Sequence, residues 1–433
     1  MKIPLARPDI TELERRAVLE VLNTPNLSLG PKLEEFEKKL VEYVGVKYAT
    51  AVNSGTSALH LIIRALGISE GDEVITTPFS FIASANCILY ERAKPVFVDI
   101  DPLTLNIDPG RVEAAITPKT KAILAVDVFG HPADWPRLEK IAEKHDLLLI
   151  EDSAEALGSE WRSPKFKVQS PESQLQSPQS RVGSHESKAL NQSAQTEGEW
   201  KKAGSFGNAA VFAFYPNKQI TTGEGGMVLT DDEEIAKLCR SLRNQGRGEG
   251  DEWLAHERLG YNYRMSDINC TLGIAQLARI NEILEKREQV AQMYNERLKD
   301  IDEVAIPYVC PDVKIGWFVY VIRLSDQYTR EDRDQILQKL KQRGIGCGNY
   351  FQPIHLQPFY RKMFGYKEGD FSITEQIASR TIALPFYNNL TGGEVDYVVE
   401  NLDDILKCYR GGRRDRRERG IRKEVVKSRF ERP

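Results

Sequence analysis

The sequence predicts an α/β protein with a mostly parallel central sheet, followed by a smaller α+β domain. Three observations carry that expectation. Strand-like apolar runs alternate with amphipathic helical stretches through the first half of the chain. The chain has 433 residues, more than one small core organises. From about residue 245 onward the alternation gives way to longer helices.

The elements follow in order. Residues 31–44 place Leu33, Phe36, Leu40 and Val44 on one helical face, with Gly45 as the stop. Ala49–Val52 is a short strand, and a helix runs from about Thr56 to Leu66 and ends at Gly67. Glu73–Thr77, Pro95–Asp99 and Ala122–Phe129 are β-rich. A helix over Asp134–His145 leads into the strand Leu147–Glu151, and Ala209–Phe214 and Met227–Thr230 are later strands. Beyond them, 271–299 is one long helical stretch, Trp317–Leu324 a strand, Arg330–Arg343 a helix and Ile345–Tyr350 a strand. Helix signals recur at 372–383 and 394–409. The expected organisation is a large domain over 1–245, a small domain over 246–409 and a tail over 410–433.

Residues 162–203 interrupt this rhythm. They hold eight Ser, six Gln and two Gln-Ser-Pro-x-Ser units, Gln169–Ser173 and Gln176–Ser180. Such a segment buries too little surface to offset its ordering entropy, so a disordered surface insert is expected.

Composition excludes several classes. Hydrophobic residues make up 41% and charged residues 28%, as in a soluble globular protein. No apolar stretch is long enough to span a bilayer, and Met1-Lys2-Ile3-Pro4 opens no signal-peptide core, so a cytoplasmic location is expected. The six cysteines lack a Cys-x-x-Cys pair and are taken as reduced thiols, and the six histidines form no metal-binding spacing. The net charge of −4 divides unevenly. Residues 409–433 carry eleven Lys/Arg against four Asp/Glu, or +7, which leaves 48 basic against 59 acidic elsewhere, or −11. An acidic body argues against nucleic acid as the main partner. The basic tail leaves a non-catalytic regulatory or DNA-binding role as a rival, although Lys/Arg/Glu mixtures at chain ends are ordinarily solvated.

The chemistry-bearing residues cluster at strand ends. Lys218 lies in Phe214-Tyr215-Pro216-Asn217-Lys218-Gln219, just before Thr222-Gly223-Glu224-Gly225-Gly226. Asp152 follows the Leu147–Glu151 strand, and Glu155 is three residues on. Pyridoxal phosphate (PLP) needs a Schiff-base amine and a carboxylate facing its pyridine nitrogen, and Lys218 and Asp152 fit that pair, although a solvated surface lysine and a helix-capping or surface acid explain the same residues. Asn53-Ser54-Gly55-Thr56-Ser57-Ala58 sits at a strand-to-helix junction. Free N–H groups there suit a phosphate, although an ordinary N-cap by Ser54 or Thr56 explains the same residues. Phe81 follows the next strand and is either a ring-stacking residue or core. Ser266 or Asp267 caps the helix after Gly260-Tyr261-Asn262-Tyr263-Arg264.

Gly30-Pro31-x-x-Glu34-Glu35-Phe36-Glu37, Asn53–Ala58, Phe81-Ile82-Ala83, Glu151–Gly158, Phe214–Gly226 and Gly260–Asp267 resemble, in order, the motifs of DegT/StrS-type nucleotide-sugar aminotransferases. The resemblance covers roughly residues 3–408 apart from the insert. It implies the fold type I (aspartate aminotransferase) fold and a homodimer with active sites at its interface. It also implies transfer of an amino group, with glutamate as donor, to a nucleotide-linked keto-sugar for glycan biosynthesis. By position, Lys218 resembles the Schiff-base lysine, Asp152 the pyridinium partner and Phe81 the residue covering the ring. Gly55, Thr56 and Ser57 resemble the phosphate cradle, and Asn262 the residue reaching the phosphate from the neighbouring subunit. Glu155 stands where Gln or His is common near the cofactor's hydroxyl. Ala213 departs from the pattern, since many members have Ser or Thr there against the phosphate. A sugar dehydratase of the same fold is the alternative enzyme, but that branch has His in place of Lys218. His355 and Gln357 are either sugar-site residues or loop structure.

Overall fold

Strands whose residues are apolar on both faces need helices on both sides. That requirement organises the computed structural model, which describes residues 1–163, 198–248 and 255–409. Seven strands form the central sheet: β1 (Tyr48–Val52), β2 (Glu73–Thr76), β3 (Lys94–Phe97), β4 (Thr120–Val126), β5 (Leu148–Asp152), β8 (Ala209–Ala213) and β9 (Gly226–Thr230). Their order is β1-β9-β8-β5-β4-β2-β3. The run from β8 to β3 is parallel, and β9 is antiparallel to both β8 and β1.

Side chains alternate across the sheet as the pleat requires. On one face Val211, Val228 and Ile150 pack under Leu59, Ile62 and Leu242, from α3 (Gly55–Ala65) and α7 (Glu233–Arg243), with α4 (Ala83–Tyr90) beside them. On the other, Phe212, Met227 and Leu229 meet Phe36 and Leu40 of α2 (Pro31–Val44) and Cys270 of α8 (Asp267–Ala278). Further along that face, α5 (Pro109–Ala115) and α6 (Trp135–His145) cover Ile123 and Leu149 with Val112, Trp135 and Leu138.

The stretch expected as one helix over 271–299 is two, α8 and α9 (Ile280–Leu298), broken at Arg279. Arg279 is drawn onto two nearly buried acids, Asp9 (3.1 Å) and Glu14 of α1 (Glu12–Leu22; 2.8 Å), and this ties the N-terminal helix to the turn. α8 shares the apolar cluster of α2, whereas α9 from Val290 onward joins a second cluster.

A second cluster is built on β10 (Val304–Ala305), β12 (Tyr320–Leu324) and β13 (Thr381–Leu384), with α10 (Arg330–Gln342) and a helix over 392–409. Ile3 joins it from the other end of the chain. Its N–H donates to Gly344 and its carbonyl accepts from Gly346. Two expectations fail here. Residues 345–350 form only isolated bridges, Ile3 with Ile345 and Gly348 with Ala383. The helix expected over 372–383 stops at Ala378, because Thr381–Leu384 is fully buried as the ladder partner of β12.

The expected insert over 162–203 is also corrected at both ends. β6 (Glu160–Ser163) and β7 (Glu199–Lys202) form an antiparallel ladder, with β11 (Val313–Lys314) on the outer side of β6. The Trp200 ring carries Lys314 at 4.1 Å and Arg162 at 5.5 Å, and Ala203 is buried. Cation–ring contacts and ladder bonds order these ends despite their polarity. Residues 164–197, with both Gln-Ser-Pro repeats, lie outside the described residues, as does the tail from 410. Among the described residues no helix is long and apolar enough to cross a membrane, and all six cysteines are unpaired.

Because Ile3 closes the second cluster, Ile3→Ala is expected to lower stability by about 2–4 kcal/mol, as for a buried large-to-small change. Urea unfolding measures it, and a change within error would place Ile3 outside the folding core.

Candidate active site

A cavity of about 560 Å³ opens at the C-terminal end of β5, where the parallel strands stop. This is the usual place for a ligand in an open α/β sheet. Lys218, Asp152, Glu155, Phe81, Gly55 and Thr56 all line it, so most of the site residues expected from sequence come together in one chain.

Lys218 sits in the connection between β8 and β9. Its N–H donates to Tyr215, closing a turn that aims the side chain inward. Its carbonyl accepts from Arg287 Nη2 (3.0 Å), and the next residue, Gln219, donates to Glu155 and Gly316 carbonyls at 2.6 Å each. The amine lies 3.6 Å from Glu155 Oε1 and 3.8 Å from the centre of the Phe318 ring. Burial lowers the Lys218 pKa, and Glu155 and Asp152 oppose that shift. An amine so placed gives up its proton more readily than a surface lysine.

Asp152 ends β5 with its carboxylate buried. Ser84 Oγ donates to Oδ2 at 2.8 Å, and the Ala154 N–H donates to Oδ1 at 3.2 Å. Burial raises its pKa, while those two bonds and Lys218 hold the rise back. Glu155 accepts from the Phe129 N–H at 2.8 Å, and burial likewise raises its pKa against the pull of Lys218.

The other end of the cavity is the start of α3. Ser54 caps it by accepting from the Ser57 N–H at 3.1 Å. The first helical N–H groups have no acceptor within the helix, and Gly55 and Thr56, which carry two of them, line the cavity. Close packing makes this turn possible. A Cβ on Gly226 would sit 2.5 Å from the Ser54 carbonyl group, and one on Gly55 would sit 2.7 Å from Ala213 Cβ. Ala213 thus fills the space beside the turn, leaving the helix amides and hydroxyls as the donors there.

Phe81 is 60% exposed at the cavity edge, which rules out the core reading. Ser57 borders the cradle but turns its hydroxyl onto Asn53 Oδ1 (2.7 Å). Asn262 is exposed and does not line this chain's cavity. Ser266 caps α8 by accepting from Asn269, and Asp267 instead receives the Gly30 and Lys32 amides. His355 is fully buried and bonded to Glu375 at 3.0 Å, and neither it nor Gln357 reaches the cavity.

Sequence reasoning missed Ser84, Arg287, Phe318 and the Asn349–Phe351 wall. Ser84 lies three residues after Phe81 on α4, a spacing that nothing local marks. The others come from beyond residue 283 and meet Lys218 only through the tertiary fold. Among the described residues no grouping of His, Cys, Asp and Glu suits a metal ion.

A buried lysine beside two carboxylates, facing a helix N-terminus across a cavity at the strand ends, defines a group-transfer site built around an anionic cofactor. The model of the DegT/DnrJ/EryC1/StrS aminotransferase family matches residues 8–403, and the chain belongs to that family. It is 37% identical over 407 residues to the GDP-perosamine synthase of Caulobacter vibrioides, covering 94% of this chain and 98% of that protein. It superposes on PseC of Helicobacter pylori, an aminotransferase of pseudoaminic acid biosynthesis, with a TM-score of 0.81 and 29% identity, covering 94% of this chain and all (100%) of that one. The PLP form of the sugar aminotransferase Spr1654 of Streptococcus pneumoniae gives a TM-score of 0.81 at 27% identity, covering 94% and 98% of the two chains.

Ser84→Ala removes one of the two donors that hold the Asp152 carboxylate. Turnover is expected to fall about tenfold to a hundredfold, the range for losing a hydrogen bond to a charged group, with far-UV circular dichroism unchanged. Full activity would show that Ser84 does not support Asp152.

Proposed function

We propose that this chain is a PLP-dependent aminotransferase that moves an amino group from glutamate to a nucleotide-linked keto-sugar. One observation carries the reading: the Lys218 amine is buried 3.6 Å from Glu155, in the same cavity as Asp152 and the open N-terminus of α3. The residues fit the cofactor on charge. Asp152 and Glu155 are two buried carboxylates facing one lysine, so the cavity has room for a second cation such as a pyridinium. The amides of Gly55 and Thr56 supply the donors that a phosphate requires.

Bound PLP supplies an electron sink for the charge left when a proton departs from the substrate carbon. The protein's own groups then have distinct tasks. Asp152, steadied by Ser84 and the Ala154 amide, holds a positive charge at the ring nitrogen. Gly55 and Thr56 would hold the phosphate, with Ser57 committed to the Ser54 cap and to Asn53 behind them, while Glu155 would stand by the ring hydroxyl and Phe81 over the ring face. Lys218 Nζ takes up and returns the proton at the reacting carbon, a task suited to an amine whose pKa burial has lowered. The GDP-perosamine synthase relative and the PseC neighbour support a nucleotide-sugar acceptor. Free cysteines and the lack of a membrane-crossing helix among the described residues favour the cytoplasm.

The exposed Asn262 supports a homodimer in which it serves the partner's phosphate. Two variants test function and sharing together. Lys218→Ala is expected to stay folded while losing visible cofactor absorbance and turnover of nucleotide keto-sugars with glutamate, read by mass spectrometry. Asn262→Asp is expected to weaken cofactor binding by setting a negative charge against the phosphate. Reassembled together, the two form mixed dimers in which one site has both residues intact, so activity reappears. A Lys218→Ala variant with full absorbance and turnover would end the lysine assignment. Mixed dimers verified by mass that regain no activity would end the shared site.

A further inference from the structure

Behind the start of α3, outside the cavity that holds Lys218, a second set of polar groups gathers around a buried carboxylate. Its centre is Glu91, the residue that ends α4, with a carboxylate only 7% exposed. Oε1 receives His60 Nε2 (2.8 Å) and the Tyr261 hydroxyl (3.1 Å), and Oε2 receives Arg64 Nη1 (2.7 Å). His60 and Arg64 both project from α3. The other ring nitrogen, His60 Nδ1, faces the Tyr263 hydroxyl at 3.0 Å. The rings of Tyr261 and Tyr263 stack on each other, 4.9 Å apart, and His60 lies 4.7 Å from Tyr261.

The Glu91 carboxylate fixes the direction of the three bonds made to it. Three donors on Glu91 keep its pKa below the ordinary value despite burial, so it is an anion and an acceptor only. Burial lowers the His60 pKa against the pull of Glu91, which favours the neutral ring. With Nε2–H given to Glu91, Nδ1 accepts and Tyr263 donates.

The network ends at the cradle. The backbone of 261–263 is laddered to 242–245 through Tyr261 N–H to Leu242 and Tyr263 N–H to Arg243. The Tyr263 carbonyl accepts from the Asn53 N–H at 2.9 Å, and Asn53 Oδ1 accepts from Ser57 Oγ at 2.7 Å. Strand-like alternation turns Tyr261 and Tyr263 inward and leaves Asn262 outward, its carbonyl facing Asn53 Nδ2 at 3.5 Å.

We propose that Glu91, acting through His60, Tyr261 and Tyr263, is the positioning residue that sets the phosphate cradle and fixes which way Asn262 points. This rests on the reading that the N-terminus of α3 holds the cofactor phosphate. Glu91 touches neither the cavity nor Lys218. Its loss loosens the phosphate end of the site and leaves the lysine end as it was.

The test compares two ligands that differ only in the phosphate. Full-length wild type, Tyr263→Phe and Glu91→Gln are stripped of cofactor with hydroxylamine, dialysed, and titrated with PLP and with pyridoxal. Wild type is expected to prefer PLP strongly. Each variant is expected to lose about tenfold in PLP affinity, the scale of one hydrogen bond to a charged or oriented group, with pyridoxal affinity unchanged. Tyr263→Phe removes a single oxygen and carries the test if Glu91→Gln fails to fold. Equal weakening for both ligands would reduce the network to general stability and overturn the proposal, as would no weakening for either. A wild type that binds both ligands alike would overturn the phosphate reading itself, and the proposal with it.

Discussion

The site depends on the burial of three ionisable side chains around too little positive charge. Lys218, Asp152 and Glu155 share a cavity at the strand ends, and burial pushes each toward its neutral form. Two unit charges 4 Å apart attract by about 4 kcal/mol at an effective dielectric of 20. Taking each ion out of water costs several kcal/mol. One amine can therefore offset one carboxylate but not two. The nearer partner is Glu155, and Asp152 is left with a hydroxyl and an amide as donors. A cationic group bound beside Asp152, such as a ring nitrogen, would complete the balance. The pressure that makes the lysine a usable base is the same one that makes the cavity receptive to a charged cofactor.

Holding those charges in place takes contributions from both halves of the chain. Arg287, from α9, is almost fully buried, and burial lowers its pKa to about 10. It donates to the carbonyls of Lys218, Trp317 and Phe318, so one guanidinium fixes both the lysine backbone and the ring beneath the lysine amine. Gln219 adds a second tie, to Gly316. The first-half sheet supplies the acids and the helix N-terminus, and the later segments supply the clamp and the aromatic wall.

Much of this was legible in the sequence because the relevant signals are local. Alternating apolar runs marked β1, β2, β4, β5, β8 and β9, and strand-end polar residues marked Asp152, the Asn53–Ser57 turn and Lys218. The less legible parts depend on distant partners. Thr381–Leu384 follows a helical stretch without a break signal and becomes a strand only because β12 lies beside it. Trp161 and Trp200 sit at the edges of a polar segment whose composition hides a ladder. Ser84 and Arg287 carry no motif, and their roles arise from where α4 and α9 come to lie. His355 is open to two readings in the sequence, sugar-site residue or loop structure, and its burial against Glu375 favours the second.

The role proposed for Lys218 is to carry the cofactor. Borohydride reduction of the cofactor-loaded protein, followed by peptide mass spectrometry, tests it directly. One pyridoxyl-phosphate adduct per chain is expected, on the peptide containing Lys218. Label on another lysine, or none on a protein that still turns over, would contradict it.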